Sequence, residues 1–208
     1  MLKFKNNINE IGIDEAGRGP LIGRVYAGAV IWDQSLECDI INDSKKLTKK
    51  KREKALEWIH NNIKYWGVGY ADEKEIDSIN ILNATKLAMD RAIEDLKKKY
   101  KKNIEYLLID GCGWENKFDN FHVESIVKGD SKYYSIAAAS ILAKEYHDMH
   151  IKELVEQNPE YNTKYDLLSN MGYPTKKHIE GIEKYGITNN HRTSFNRCKK
   201  IDLGKENT

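Results

Sequence analysis

The sequence predicts an α/β protein, a mixed sheet flanked by helices with a helical appendage at the C-terminal end. Three observations carry this. Runs of strand character come first and then alternate with helical periodicities. The alanine-rich stretch after Ser131 is long enough for a buried helix. Beyond Pro159 the chain turns irregular, polar and basic. The expected organisation is a sheet-containing unit over 1–157 and a helical extension over 158–208 packed on it.

Residues 8–14 alternate toward Asp14, and "RVYAGAVIW" (24–32) is rich in β-branched and aromatic residues, so both read as strands joined by the glycine turn "GRGPLIG". Thr48 is placed to cap a helix that carries Ala55, Leu56, Ile59 and Ile63 on one face. "YWGVGYA" (65–71) returns as a strand. From Ile81 to Tyr100 the apolar positions Leu82, Leu87, Ala88, Ala92, Ile93 and Leu96 recur at helical spacing. "EYLLID" (105–110) is a short apolar strand ending on Asp110, and "FHVESIV" (121–127) is another. The long helix runs from about Ser131 to Gln157, and a short one is expected at 175–185.

Totals narrow the function class. A chain of 208 residues suits one full domain with at most a small appendage, and 32% charged against 40% hydrophobic residues suits a folded, well-solvated chain. The net charge of +2 conceals clusters of lysine and arginine at 44–52, 97–102, 175–178 and 192–200, so a local basic surface is compatible with a nearly neutral protein. Cys38, Cys112 and Cys198 are odd in number and show no CxxC spacing, which argues against a disulfide framework or zinc site. No apolar run approaches the roughly 20 residues of a membrane span, and the first residues lack a signal-peptide core. The expected setting is the cytoplasm, with the nucleus left open.

Asp14 with Glu15, Asp110 and Asp130 each lie where a regular element meets a glycine-containing turn. Strand ends of α/β sheets are where sites assemble. If the strands ending in Asp14 and Asp110 are neighbours, their carboxylates converge, and converging carboxylates repel unless a cation lies between them. Oxygen ligands without His or Cys favour Mg²⁺ or Mn²⁺, which share coordination with substrate phosphates. Taken singly, each Asp is also a plausible turn former. Asp14 and Glu15 would point to opposite faces of a regular strand, so a shared site requires a bend or bulge there. "GRGP" is no P-loop, because the turn leads into a strand and the lysine is missing.

These motifs, with "NDSKKLTKKKRE", "LLIDG", "VKGDSKYYSIAAASILAKEYHD", "GYPTKKHIEGIEKYGIT" and "HRTSF" in that order, resemble the ribonuclease HII family, the type 2 ribonucleases H, over about residues 10–197. The resemblance implies a ribonuclease H-like fold, with Asp14, Glu15, Asp110 and Asp130 as catalytic metal ligands. Asp148 of "KEYHD" is a rival for the fourth place; the motif match favours Asp130, whose other reading is a helix N-cap. Gly17, Arg18 and Gly19 would read a ribonucleotide 2′-hydroxyl through the main chain, with Tyr173 packing on the ribose. Lys45, Lys46, His178 and Arg192 are candidates for phosphate contacts.

The implied activity is hydrolysis of the RNA strand of RNA–DNA hybrids and incision of duplex DNA 5′ of embedded ribonucleotides. Two Mg²⁺ or Mn²⁺ ions would serve, leaving 3′-hydroxyl and 5′-phosphate ends. A binding module without chemistry gains nothing from four acids beside a phosphate backbone. Thr193 stands where many relatives carry a second arginine, and "DGCGWENKF" is idiosyncratic after Asp110. The start of the chain argues against the type 3 relatives. "KKIDLGKENT" lacks a glutamine-led motif with paired aromatics, so no sliding-clamp peptide is expected, and a monomer is the family's usual form.

Overall fold

A computed structural model describes residues 1–3, 5 and 9–202. Five strands form one mixed sheet: β1 (Glu10–Ala16), β2 (Val25–Ile31), β3 (Tyr65–Ala71), β4 (Tyr106–Asp110) and β5 (His122–Ile126), in the order β3-β2-β1-β4-β5. β1, β2 and β3 pair antiparallel, while β1, β4 and β5 run parallel. The crossover from β1 to β4 passes through the other two strands, β2 and β3, and the helices between them, whereas β4 and β5 are joined by a helix-free segment, residues 111–121.

One face is covered by α2 (Glu73–Lys99), whose Ala84, Ala88, Met89, Ala92 and Leu96 pack on Ile11, Ile13, Val25, Ala27 and Ala29. The other face takes α1 (Lys49–Asn62) and α3 (Tyr134–Gln157), with Ala55 and Ile59 of α1 and Ala137, Ala138, Ala139 and Ile141 of α3 meeting Val30 and Trp32. The approach of α3 is close because Gly12 and Gly28 face it. A Cβ at Gly28 would lie 2.3 Å from the Ala139 carbonyl oxygen, and one at Gly12 would lie 2.4 Å from Ser135. Both glycines are therefore packing requirements of this face.

The expected helix from Ile81 is the second half of a longer element. α2 begins at Glu73 under a capping box made by Asp72 and Glu75, and breaks at Asn80 (φ 66°, ψ 164°), whose Oδ1 accepts from the amides of Leu82 and Asn83. A D-x-x-E signal was present at 72–75, but only one buried apolar position, Ile76, lies in this first half. The expected helix from Ser131 is instead a 3-10 turn (Gly129–Ser131) followed by α3. Its N-cap is Tyr133, and no side chain caps it, so Asp130 is no helix cap.

The C-terminal part is helical as expected: α4 (Glu160–Tyr165), α5 (Leu167–Asn170), α6 (Lys176–Tyr185) and α7 (Asn196–Asp202). Tyr161, Tyr165, Leu167, Ile182 and Cys198 enclose Leu21 and Ile22 of the glycine turn together with Ile151 and Leu154 of α3. The appendage thus shares its core with the turn after β1. Of the segment bearing on a sliding-clamp peptide, residues 203–208 lie outside the described residues.

Candidate active site

Side-chain parity builds the acidic cluster. Gly12 faces α3, and its parallel partner Leu108 packs on Ile136 of α3. Two residues further along each strand, Asp14 and Asp110 return to that face at adjacent strand ends. The Gly129 amide donates to Asp110 Oδ1 at 2.7 Å, which ties the 3-10 turn, and with it Asp130, to the same place. Asp14, Asp110 and Asp130 each offer an oxygen within 4.8 Å of the others.

The electrostatics fit a cation. Burial, then the charges of Glu15 and Asp110, push the Asp14 carboxyl well above its ordinary range, against a hydrogen bond from Ser140. Burial, then Asp110 and Asp43, raise Asp130. Burial alone would lower Lys45, but the fields of Asp14, Asp130, Asp43 and Asp110 outweigh it and hold the ammonium above its usual value. Three carboxylates with no nitrogen or sulfur donor among them suit a hard divalent cation.

Glu15 departs from the sequence expectation. No bulge interrupts β1: Asp14, Glu15 and Ala16 pair in regular register with Gly28, Ala27 and Tyr26. Glu15 lies beside the cluster but outside the set of three converging oxygens. Its Oε1 accepts from Arg18 Nη1 at 3.0 Å, and burial raises its carboxyl against that guanidinium. Asp148 is elsewhere. Lys144 Nζ lies 2.7 Å and His147 Nδ1 3.0 Å from its Oδ1, with Arg52 at 3.5 Å. Burial would raise its carboxyl, but His147 and Lys144 hold it below the ordinary range. Asp148 thus lies outside the set of three converging oxygens.

A cavity of about 340 Å³ adjoins Asp14 and Glu15 and is lined by Gly17, Arg18, Gly19, Lys45 and Tyr173. Ser44, Ser140 and Lys144 also line it, and neither these three nor Asp43 stands out in the sequence. Their signal was weak, since Ser140 sits in an alanine run and Ser44 in a lysine cluster. Ser44 Oγ and Ser140 Oγ share a 2.7 Å hydrogen bond. Tyr173, 39% exposed, lies over Gly19, where a Cβ would come within 3.2 Å of its ring. Lys46 is at the rim, its Nζ 3.0 Å from Ser131 Oγ and 3.8 Å from Asp43.

His178 and Arg192 are not phosphate contacts in this structure, because both are fully buried. His178 Nδ1 lies 3.0 Å from the Tyr173 carbonyl oxygen, which can only accept, so that nitrogen carries the proton. Burial lowers the ring below its usual value, which leaves the neutral form. Its Nε2 then accepts from His191 Nε2 at 3.2 Å, and His191 Nδ1 accepts from the Thr188 amide at 3.0 Å. Arg192 donates to four main-chain oxygens: Nε to Gly23 at 2.8 Å, Nη1 to Arg18 at 3.1 Å and Pro20 at 2.8 Å, Nη2 to Gly17 at 2.7 Å. Thr193 holds Asp77 through its amide and hydroxyl, so in this chain that position braces the segment against α2.

Comparison with known proteins agrees with this geometry. A family model described as Ribonuclease HII matches residues 11–198. Ribonuclease HII of Phocaeicola vulgatus is 47% identical over 197 residues, 94% of each chain, and that of Parabacteroides distasonis is 49% identical over 186 residues, 89% of each. Among solved structures, ribonuclease H2 of Pyrococcus horikoshii superposes with a TM-score of 0.72 at 25% identity, covering 96% of this chain and 99% of its own. Bst-RNase HIII in complex with Mn²⁺ shares the fold at 0.71 and 18% identity, covering 96% of this chain and 70% of its own. With the mixed sheet, the acidic strand ends and the glycine turn in place, the chain belongs to the ribonuclease HII family and is a ribonuclease H endonuclease.

Proposed function

We propose that this enzyme cuts the RNA strand of RNA–DNA hybrids and also incises duplex DNA on the 5′ side of an embedded ribonucleotide, using two divalent cations. The observation that carries the reading is the convergence of Asp14, Asp110 and Asp130 beside a glycine-lined cavity. Asp14 and Asp130 are raised by burial and by the charges of neighbouring acids, which a divalent cation would relieve, and the same fold in Bst-RNase HIII is found with Mn²⁺. Bound there, Mg²⁺ or Mn²⁺ supplies an activated water and charge stabilisation for the departing 3′ oxygen.

The protein's own part is positioning. Asp14, Asp110 and Asp130 would hold the cations, with Glu15, paired to Arg18 in this structure, as the fourth acid of the site. Gly17, Arg18 and Gly19 approach the sugar, Tyr173 packs on the ribose, and Lys45 and Lys46 meet phosphates at the rim. No side chain acts as nucleophile. The enzyme works as a cytoplasmic monomer. A labelled DNA duplex with one ribonucleotide tests the cut: the account expects a single nick 5′ of the ribonucleotide, with a 3′-hydroxyl that a polymerase extends. A cyclic 2′,3′-phosphate end would overturn it, since that product requires attack by the 2′-hydroxyl itself.

A further inference from the structure

The glycine turn is held from the far end of the chain. Arg192 is fully buried, and all four of its hydrogen bonds end on main-chain oxygens of Gly17, Arg18, Pro20 and Gly23. Main-chain bonds reinforce the grip, with the Arg192 amide donating to Leu21 and the Gly23 amide to Asn190, both at 2.8 Å. Burial draws the guanidinium down to about 10, so it remains charged at neutral pH.

The consequence follows from peptide geometry. Every described peptide bond is trans, so a carbonyl and the N–H of the following residue point in opposite directions. With the oxygens of Gly17 and Arg18 drawn inward to the guanidinium, the N–H groups of Arg18 and Gly19 point away from it, and both residues line the cavity beside Asp14. Among the described residues, neither N–H has an intramolecular acceptor. His147 packs against Gly17, where a Cβ would lie 2.4 Å from its ring.

We propose that Arg192 is a positioning residue for sugar selection: it presets the Gly17–Gly19 main chain so that two donors face the substrate ribose. This rests on the reading that the cavity receives a ribonucleotide. Charge-assisted bonds to carbonyls suit the task because a lysine cannot span four acceptors in one plane.

The test is discrimination rather than rate. In an Asp110→Asn background, expected to bind without cutting, affinities are measured for an RNA–DNA hybrid and for the same sequence as an all-DNA duplex, with and without Arg192→Lys. The expected result is that Arg192→Lys lowers the preference for hybrid about tenfold while leaving all-DNA affinity unchanged. A variant that retains the fold by circular dichroism and the full preference overturns the proposal. If the Asp110→Asn parent itself shows no preference, the ribonucleotide reading fails instead, and the two failures are separate. For wild-type protein, NMR of the Arg192 side chain gives a reading that needs no foldable variant. A slowly exchanging Nε–H is expected, and exchange as fast as that of a free arginine would overturn the proposal.

Discussion

Asp14 pays in stability for what it contributes to the site. Its carboxyl is buried and repelled by Glu15 and Asp110, so the folded state binds its proton more tightly than the unfolded chain does. For a carboxylate raised in this way, stability is highest below the ordinary value of 3.8 and falls as pH rises through the folded-state value, then stays low. In EDTA at neutral pH, Asp14→Asn is therefore expected to melt above wild type, with the gap closing toward pH 4. Melting curves that coincide at every pH would contradict this. Mg²⁺ should raise the melting temperature of wild type but not of the variant. Asp148 has the opposite sign: its stabilisation is present above 3.8 and lost as pH falls through its lowered value. At this scale the acids were legible because glycine turns after apolar runs mark strand ends. Burial of His178 and Arg192 was not, because a lone polar residue carries no periodicity to say which way it faces.

Between elements, the site depends on how closely α3 can lie on the sheet. Gly28→Ala puts a methyl 2.3 Å from the Ala139 oxygen and should cost about 1–3 kcal/mol by urea denaturation, while displacing Ser140 from Asp14. An unchanged urea midpoint would mean that the packing is looser than described. The break in α2 is the second dependency. Asn80 adopts backbone angles favourable to glycine while accepting from two amides, and the half-helix before it carries Asp77, which anchors Thr193 and Ser194. Asn80→Ala removes the cap and keeps the strain, so it should destabilise by about 1–3 kcal/mol; Asn80→Gly, free of that strain, should cost less. Equal losses would show that the cap alone matters. The helix from Ile81 was readable from its apolar repeat, whereas residues 73–79 offer one buried apolar position and rely on a cap and tertiary hydrogen bonds. The regular ladder through Glu15 was likewise hidden, since sequence cannot say where pairing with β2 stops.

For the whole molecule, a net charge of +2 matters less than where the cations lie. Arg18, Lys45 and Lys144 line the cavity and Lys46 its rim, so binding of any duplex should weaken with salt; Lys46→Ala should reduce the salt slope by about 1 without changing preference between hybrid and DNA. A changed preference would mean that Lys46 reads the sugar. The α/β class and helical C-terminal end followed from the order of apolar patterns. That the last segment grips the first turn did not, because contacts across some 170 residues leave no local signature. The central claim joins the acidic cluster to the glycine cavity, and one assay addresses both: wild type and Asp110→Asn, each in Mg²⁺ and Mn²⁺, on an all-DNA duplex, an RNA–DNA hybrid and DNA with one ribonucleotide. The account predicts cutting of the last two only, dependent on the metal and lost in Asp110→Asn. Tight binding without cutting in either metal, or cutting that survives the substitution, would contradict it.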